Sequence, residues 1–232
     1  MIITISNQKG GSGKTSTSVL LTLALASKGK TVLAVDCDPQ AGLTSFLLPE
    51  DEEHPGIFDL LIGDPVSPVH VNRGGIIFDV IPADHRLDKI YATLSPFELK
   101  KEFLKMNYDY IVFDTPPTVQ GVSRAAAIIS DRIIIPADIS RATIKPTLYT
   151  LSSLKEIEKS GAVILIGKEP KNETKGFMAD TTRKFITALG DSYYGTIQKS
   201  VTLQKAVSDS LQKWNTSKIE KLLKPILKAV KL

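Results

Sequence analysis

The stretch Ile2–Thr15, IITISNQKGGSGKT, decides the fold. Ile2–Ser6 is a short run rich in β-formers, and from Thr15 to Ser27 the apolar residues recur at helical spacing. The intervening glycines let the backbone turn tightly, so that successive N–H groups point at one anion. The N-terminus of the following helix adds its positive end. A strand, a glycine-rich loop and a helix in this order predict a phosphate-binding loop.

The other residues of the loop suit a nucleoside triphosphate. Lys14 is placed to neutralise the β- and γ-phosphates, and the Thr15 hydroxyl to ligate Mg²⁺. The strict pattern for such loops has glycine where this chain has Gln8. The sequence therefore predicts ATP and Mg²⁺ as cofactors. The residues expected to contact the nucleotide are Lys9, Gly10, Gly11, Ser12, Gly13, Lys14, Thr15 and Ser16.

Strand-like and helix-like segments alternate along the rest of the chain. The apolar runs predict strands at Thr31–Val35, Gly75–Ile81, Tyr110–Phe113, Arg132–Ile135 and Ala162–Ile166. Helical patterns cover Pro96–Met106, Val119–Ser130, Ile144–Ser160 and Met178–Leu189, and the proline-containing stretch Leu48–Arg73 is expected to be a loop with one short helix at Ile57–Ile62. We predict a single α/β domain over residues 1–232, with a doubly wound, mainly parallel sheet flanked by helices.

Carboxylates follow two of the predicted strands. Asp36 and Asp38 come after the strand Thr31–Val35, and Asp114 comes directly after Tyr110–Phe113. In an open parallel sheet, ligands bind outside the carboxyl ends of the strands. We therefore expect these three side chains to lie beside the glycine loop. A carboxylate there can hold Mg²⁺ through a water molecule, so Thr15 and Asp114 are candidate metal ligands.

Three motifs together resemble the ParA/Soj group of partition ATPases, which are P-loop NTPases. They are KGGSGKTS at Lys9–Ser16, DCDPQ at Asp36–Gln40 and DTPP at Asp114–Pro117. The resemblance runs over nearly the whole chain and is weaker after residue 140. It implies an ATP-dependent homodimer that sandwiches two nucleotides. It also implies that the catalytic residues are Lys9, Lys14 and Asp38: Lys9 reaches the partner's nucleotide as an arginine finger does, and Asp38 positions the attacking water. The resemblance further implies that Asp36 supports Mg²⁺, so the candidate metal site is Thr15, Asp36 and Asp114.

Composition excludes several classes of protein. The lone cysteine, Cys37, cannot build a disulfide scaffold, an iron–sulfur cluster or a cysteine zinc site. No apolar run approaches the ~18 residues of a membrane span, and no secretory leader is visible at the start. Because only eight residues precede Lys9, we expect no N-terminal helix-turn-helix domain. The sequence thus predicts a cytoplasmic protein.

Positive charge is concentrated near the C-terminus. From residue 199 to 232, eight lysines stand against Asp209 and Glu220, a net charge of +6, whereas the whole chain carries +4. Such asymmetry suggests a polyanionic partner. The resemblance implies non-specific duplex DNA, hence a nucleoid location, and a ParB-like adaptor that binds the centromere. The candidate DNA contacts are Arg183, Lys184, Lys199, Lys205 and Lys213.

Two alternatives remain open at this point. One is a MinD-like positioning ATPase that uses the basic amphipathic segment Thr216–Leu232 on a membrane surface. We consider this less favoured, because the same segment can cover the sheet as a terminal helix, kinked or restarted at Pro225. The other is a metabolic ATP-dependent ligase on the same fold, although the sequence contains no further substrate motif.

Overall fold

The computed structural model describes residues 1–49, 52–90, 95–167, 177–208 and 216–231. In these residues an eight-stranded sheet has the order β3-β4-β2-β5-β1-β6-β7-β8. The strands are β1 (Ile2–Ile5), β2 (Val32–Asp36), β3 (Val69–Arg73), β4 (Ile76–Ile81), β5 (Tyr110–Asp114), β6 (Arg132–Asp138), β7 (Ala162–Ile166) and β8 (Tyr193–Ile197). All neighbouring pairs are parallel except β3 with β4.

Helices cover both faces of the sheet. They are α1 (Lys14–Ala26), α2 (Gly42–Leu47), α3 (Ile57–Ile62), α4 (Pro96–Leu104), α5 (Gly121–Ile129), α6 (Arg141–Lys155), α7 (Phe177–Leu189), α8 (Val201–Val207) and α9 (Thr216–Ala229). One apolar cluster joins α1, α2, α8 and α9 to the sheet. Two other apolar clusters join the helices α3, α4, α5, α6 and α7 to the opposite face of the sheet. The predicted α/β class with a doubly wound, mainly parallel sheet is confirmed.

The central strands are buried along their whole length. Every residue of β1 and of β2 is buried, as parallel strands covered on both faces require. The pairing register of the central strands aligns their C-terminal ends. Asp36 on β2 is paired with Asp114 on β5, and Asp114 is in turn paired with Ile5 on β1. The ends of three adjacent strands therefore meet just before the glycine loop.

The prediction was wrong at the edges of the sheet. Leu48–Arg73 contains the predicted short helix, α3, but also the strand β3, which the sequence analysis treated as loop. Val69 and Val71 are half-buried while His70 and Asn72 are exposed, so the apolar signal of this edge strand is weak. The other edge strand, β8, was missed for the same reason, since only Ile197 is buried.

The terminal helix α9 packs on the sheet. Its apolar positions Ile219, Leu223 and Ile226 are buried in the cluster that also holds α1. The helix continues through Pro225, so of the two outcomes expected there, a kink or a restart, the restart does not occur. Pro225 rests against β8, where a Cβ added to Gly195 would lie 3.0 Å from the proline Cγ. In the described part of the chain, no helix combines the length and apolar content of a membrane span.

Candidate functional site

The glycine loop between β1 and α1 is shaped by left-handed backbone. Gly11 and Gly13 have φ angles of 70° and 92°, a region that other residues rarely adopt. A Cβ on Gly13 would also come within 2.7 Å of the Ile166 side chain. The Ser12 hydroxyl is buried in this loop and has no hydrogen-bond partner among the described residues. An unpartnered buried donor beside a helix N-terminus suits a phosphate oxygen.

Lys14 is the first residue of α1, and its side chain folds back over the loop. Its Nζ donates to the Lys9 carbonyl at 3.2 Å. Burial lowers the pKa of Lys14, while the carboxylates of Asp114 and Asp38 act in the opposite direction. The expected convergence of these charged groups is thus present, with Lys14 as the cation between the loop and the strand ends.

Asp114, at the end of β5, is held by α1. Its two carboxylate oxygens accept hydrogen bonds from Thr15 Oγ1 at 2.7 Å and from Ser18 Oγ at 2.8 Å. Burial and then the charge of nearby Asp36 raise the pKa of Asp114 to about 7. A bound cation would relieve the cost of keeping both carboxylates charged. Hydroxyl and carboxylate oxygens are ligands that Mg²⁺ prefers, so this donor set fits the ion.

Asp36, at the end of β2, is oriented by the segment that follows it. One carboxylate oxygen accepts from the Asp38 backbone N–H at 3.0 Å, and the other accepts from the backbone and hydroxyl of Thr44 at 2.9 and 2.8 Å. Burial raises the pKa of Asp36 to about 6, against the effect of these donors. Gly42 brings α2 close to the loop, because a Cβ there would lie 3.5 Å from Thr15 Oγ1.

Asp38 is half-buried in the turn between β2 and α2. Its Oδ1 accepts a hydrogen bond from the Gln40 N–H at 3.0 Å, which leaves the other oxygen without a protein donor in the described residues. The turn brings the carboxylate close enough to Lys14 for the two charges to interact. Asp38 therefore lies at the C-terminal ends of the central strands, where the glycine loop also lies.

Lys9 forms an ion pair within its own chain. Its Nζ is 2.7 Å from Oδ1 of Asp138, the last residue of β6. Burial alone would raise the pKa of Asp138, but the hydrogen bonds from Lys9 and Thr143 lower this pKa to about 2. Asp138 is not among the predicted site residues because the predicted strand ends at Ile135. The rule that located Asp36 and Asp114 would have found Asp138 once the strand was extended.

A cavity of about 410 Å³ extends from the loop towards α8 and α9. Its near side is formed by Gly11–Gly13, and its far side is largely apolar, with Leu203, Val207 and Ile226. Lys199, one of the candidate DNA contacts, also lines it. The polar end suits phosphates, and the apolar end suits a flat base.

The candidate DNA contacts do not form one group. Arg183 and Lys184 lie on α7, and Arg183 is paired with Asp180 at 2.8 Å. Lys199 and Lys205 are exposed at and within α8, on the opposite helix layer. Lys213 lies outside the described residues. The described candidates are therefore divided between two faces of the sheet.

Comparisons with known proteins show the family and the fold of this chain. A family model described as "AAA domain" matches residues 1–165. The sporulation initiation inhibitor protein Soj of Bacillus subtilis is 35% identical over 168 residues, which cover 68% of this chain and 66% of Soj. The chain spans somewhat less than two thirds of the length of the first curated relatives it matches, from 61% to 66%.

Two solved structures have the same fold over nearly the whole chain. A plasmid partition protein from Borrelia burgdorferi bound to AMPPNP has a TM-score of 0.78 and 25% identity, with 98% of each chain covered. The apo form of McdA from Cyanothece has a TM-score of 0.82 and 22% identity, covering 99% of this chain and 97% of its own. The Borrelia structure holds a nucleotide analogue, so a chain of this fold accommodates one.

Proposed function

Because this chain belongs to the family of AAA-domain proteins, within it to the ParA/Soj type of partition ATPase, we propose that it is an ATP-dependent DNA-partition switch. In this proposal the protein binds ATP with Mg²⁺, dimerises around two nucleotides and then binds duplex DNA without regard to sequence. It hydrolyses ATP slowly until a ParB-like adaptor stimulates it. The observation that carries the proposal is the meeting of Lys14, Thr15, Asp36 and Asp114 at adjacent strand ends.

In this proposal each polar group at the strand ends has a task. The loop N–H groups of Lys9–Ser16 cradle the phosphates, and Lys14 offsets their charge. Thr15, Asp36 and Asp114 would hold Mg²⁺, directly or through water, and the ion would neutralise charge between the β- and γ-phosphates. Thr44 and Ser18 keep the two carboxylates oriented. The 410 Å³ cavity takes the nucleoside.

Asp38 is proposed to orient the water that attacks the γ-phosphate. Asp38→Ala should lower the ATP turnover number by about a hundredfold, since a positioned general base typically contributes 10²–10⁴-fold. ATP binding should remain, so the ATP dimer should accumulate. A phosphate-release assay and light scattering measure the two effects. The exposed Asp88→Ala variant is the control, and wild-type turnover by Asp38→Ala would remove Asp38 from the mechanism.

Duplex DNA is proposed to bind the layer formed by α8 and α9. Lys221, Lys224 and Lys228 recur on the exposed side of α9, beside a groove of about 440 Å³ against β8. No acidic side chain of the described residues lines this groove. Lys228 Nζ lies 5.8 Å above the Tyr194 ring. Glu220, the acidic residue next to this row, is paired with Lys28 at 2.8 Å. A row of lysines along such a groove suits a phosphate backbone, and such contacts carry no sequence preference.

Replacing Lys221, Lys224 and Lys228 together by alanine should weaken DNA binding equally for all duplex sequences. Log affinity falls with log salt, and each phosphate contact removed makes that slope less steep by about 1. The magnitude of the slope is therefore expected to decrease by about 2–3. Fluorescence anisotropy over a range of salt concentrations, with ATP and Mg²⁺ present, measures this slope.

A matched triple variant tests whether the position of the lysines matters. Lys100, Lys101 and Lys105 are exposed in and after α4, on the other helix layer. Their replacement by alanine removes the same charge and should leave the slope within 1 of the wild-type value. Equal losses in both triple variants would contradict a DNA surface on α9 and indicate a response to net charge alone.

The MinD-like alternative gains no support from α9. Its described apolar residues pack on the sheet and, apart from the half-buried Leu222, are nearly all buried, so the described part of the helix offers no continuous apolar face to a membrane. The basic side that remains exposed is suited to a polyanion in water. We therefore propose a nucleoid location for the ATP-bound protein.

A further inference from the structure

Arg73, the last residue of the edge strand β3, joins two helices that are distant in sequence. Its Nη2 donates to the carbonyl of Phe46 on α2 and to the carbonyl of Val207 on α8, at 3.3 Å each. Both acceptors lie in the last turn of their helix, where carbonyl groups have no partner within the helix. Both also lie at the negative end of a helix dipole. A single cation thus stabilises two helix C-termini.

The two helices held by Arg73 contribute to the same cavity. Phe46 and Val207, whose carbonyls accept from Arg73, are both lining residues of the 410 Å³ cavity. Earlier in α2, Thr44 donates to the Asp36 carboxylate, and earlier in α8, Leu203 lines the apolar end of the cavity. Arg73 itself is not among the lining residues. Any effect on a ligand must therefore act through the placement of α2 and α8.

We propose that Arg73 is a positioning residue that fixes the spacing of α2 and α8, and through it the affinity of the site for the nucleoside part of ATP. This inference rests on the proposed nucleotide site. The phosphate end of that site is built mainly from the left-handed turns at Gly11 and Gly13 and from Lys14 on α1. Thr44 of α2 also serves that end through Asp36, but its hydroxyl is held separately by the Ala83 N–H at 3.0 Å. Loss of Arg73 should therefore weaken the binding of a base-bearing ligand and leave that of a bare phosphate chain unchanged.

The test compares ADP with pyrophosphate as probes, each with Mg²⁺. For Arg73→Met we expect the ADP dissociation constant to rise about fivefold, because the charge-assisted hydrogen bonds to the Phe46 and Val207 carbonyls are lost. The pyrophosphate dissociation constant should stay within about twofold of wild type. In turnover, KM for ATP should rise while kcat stays within about twofold. Arg73→Lys should recover part of the ADP affinity, because an ammonium group can still donate to both carbonyls.

Arg132→Met is the matched control, since Arg132 also donates to a backbone carbonyl, that of Asp131, but at the opposite end of its strand from Asp138. Should Arg73→Met fail to fold, Arg73→Gln, which keeps one amide donor group, replaces it. Unchanged ADP affinity, or an equal loss for ADP and pyrophosphate, would overturn the inference about Arg73. If the wild-type protein binds neither probe, the proposed nucleotide site itself is wrong, and the two failures are thereby told apart.

Discussion

Lys14→Ala should weaken ATP binding by about a hundredfold or more. Lys14 is buried at the start of α1, and its Nζ already bends over the glycine loop towards the Lys9 carbonyl. Truncating one partner of a buried charged contact costs about 2–5 kcal/mol, and each 1.4 kcal/mol is a factor of ten in affinity. The fold should survive, because burial already disfavours the charged ammonium, as its lowered pKa indicates. Isothermal titration with ATP and Mg²⁺ measures the effect.

Lys30→Ala, a change at an exposed lysine after α1, is the control for Lys14→Ala. It should bind ATP as the wild-type protein does. Thermal unfolding of both variants separates a lost contact from a lost fold. Tight ATP binding by a folded Lys14→Ala variant would mean that the glycine loop is not the phosphate site.

The second large effect concerns Lys9, which should be dispensable for nucleotide binding by the monomer and required for the ATP dimer. For Lys9→Ala we expect ADP affinity within about threefold of wild type and ATP-dependent dimerisation weaker by about thirtyfold or more. The reason is that its ammonium is proposed to contact the partner's nucleotide, whereas within its own chain it contacts Asp138. Size-exclusion chromatography with light scattering measures the dimer.

Asp138→Ala separates the two contacts of Lys9. This variant removes the ion pair within the chain and leaves the lysine free to reach a partner. It should dimerise with ATP at least as readily as the wild-type protein. If Lys9→Ala still forms the ATP dimer at wild-type concentration, the lysine does not act across the interface.

The sequence predicts the central part of this molecule well because the strands there are covered on both faces. Continuous apolar runs mark β2, β5 and β7, and they mark the strand ends that place Asp36 and Asp114. The membership in the ParA/Soj type, which the motifs indicate, is confirmed. At the edges of the sheet, where burial is partial, the same signal fades, and β3 and β8 were missed.

The contacts that orient the site were harder to predict because they depend on turns and distant pairings. Thr44 reaches Asp36 only because the chain turns through Ala41, a residue with φ of 51°. Arg73 meets Val207 across 134 positions of sequence, a separation that carries no local pattern. The partner of Lys9 was missed because the predicted strand stops at Ile135, whereas Pro136 is paired with Ile164 and β6 continues to Asp138.

Binding to a random-sequence DNA duplex tests the central claim most directly. The measurement is fluorescence anisotropy at one moderate salt concentration, first with ATP and Mg²⁺ and then with ADP and Mg²⁺. The account predicts tight binding with ATP that is indifferent to sequence and falls steeply with added salt, and weak binding with ADP. Equal binding with both nucleotides, or none with either, would contradict an ATP-dependent switch that acts on DNA.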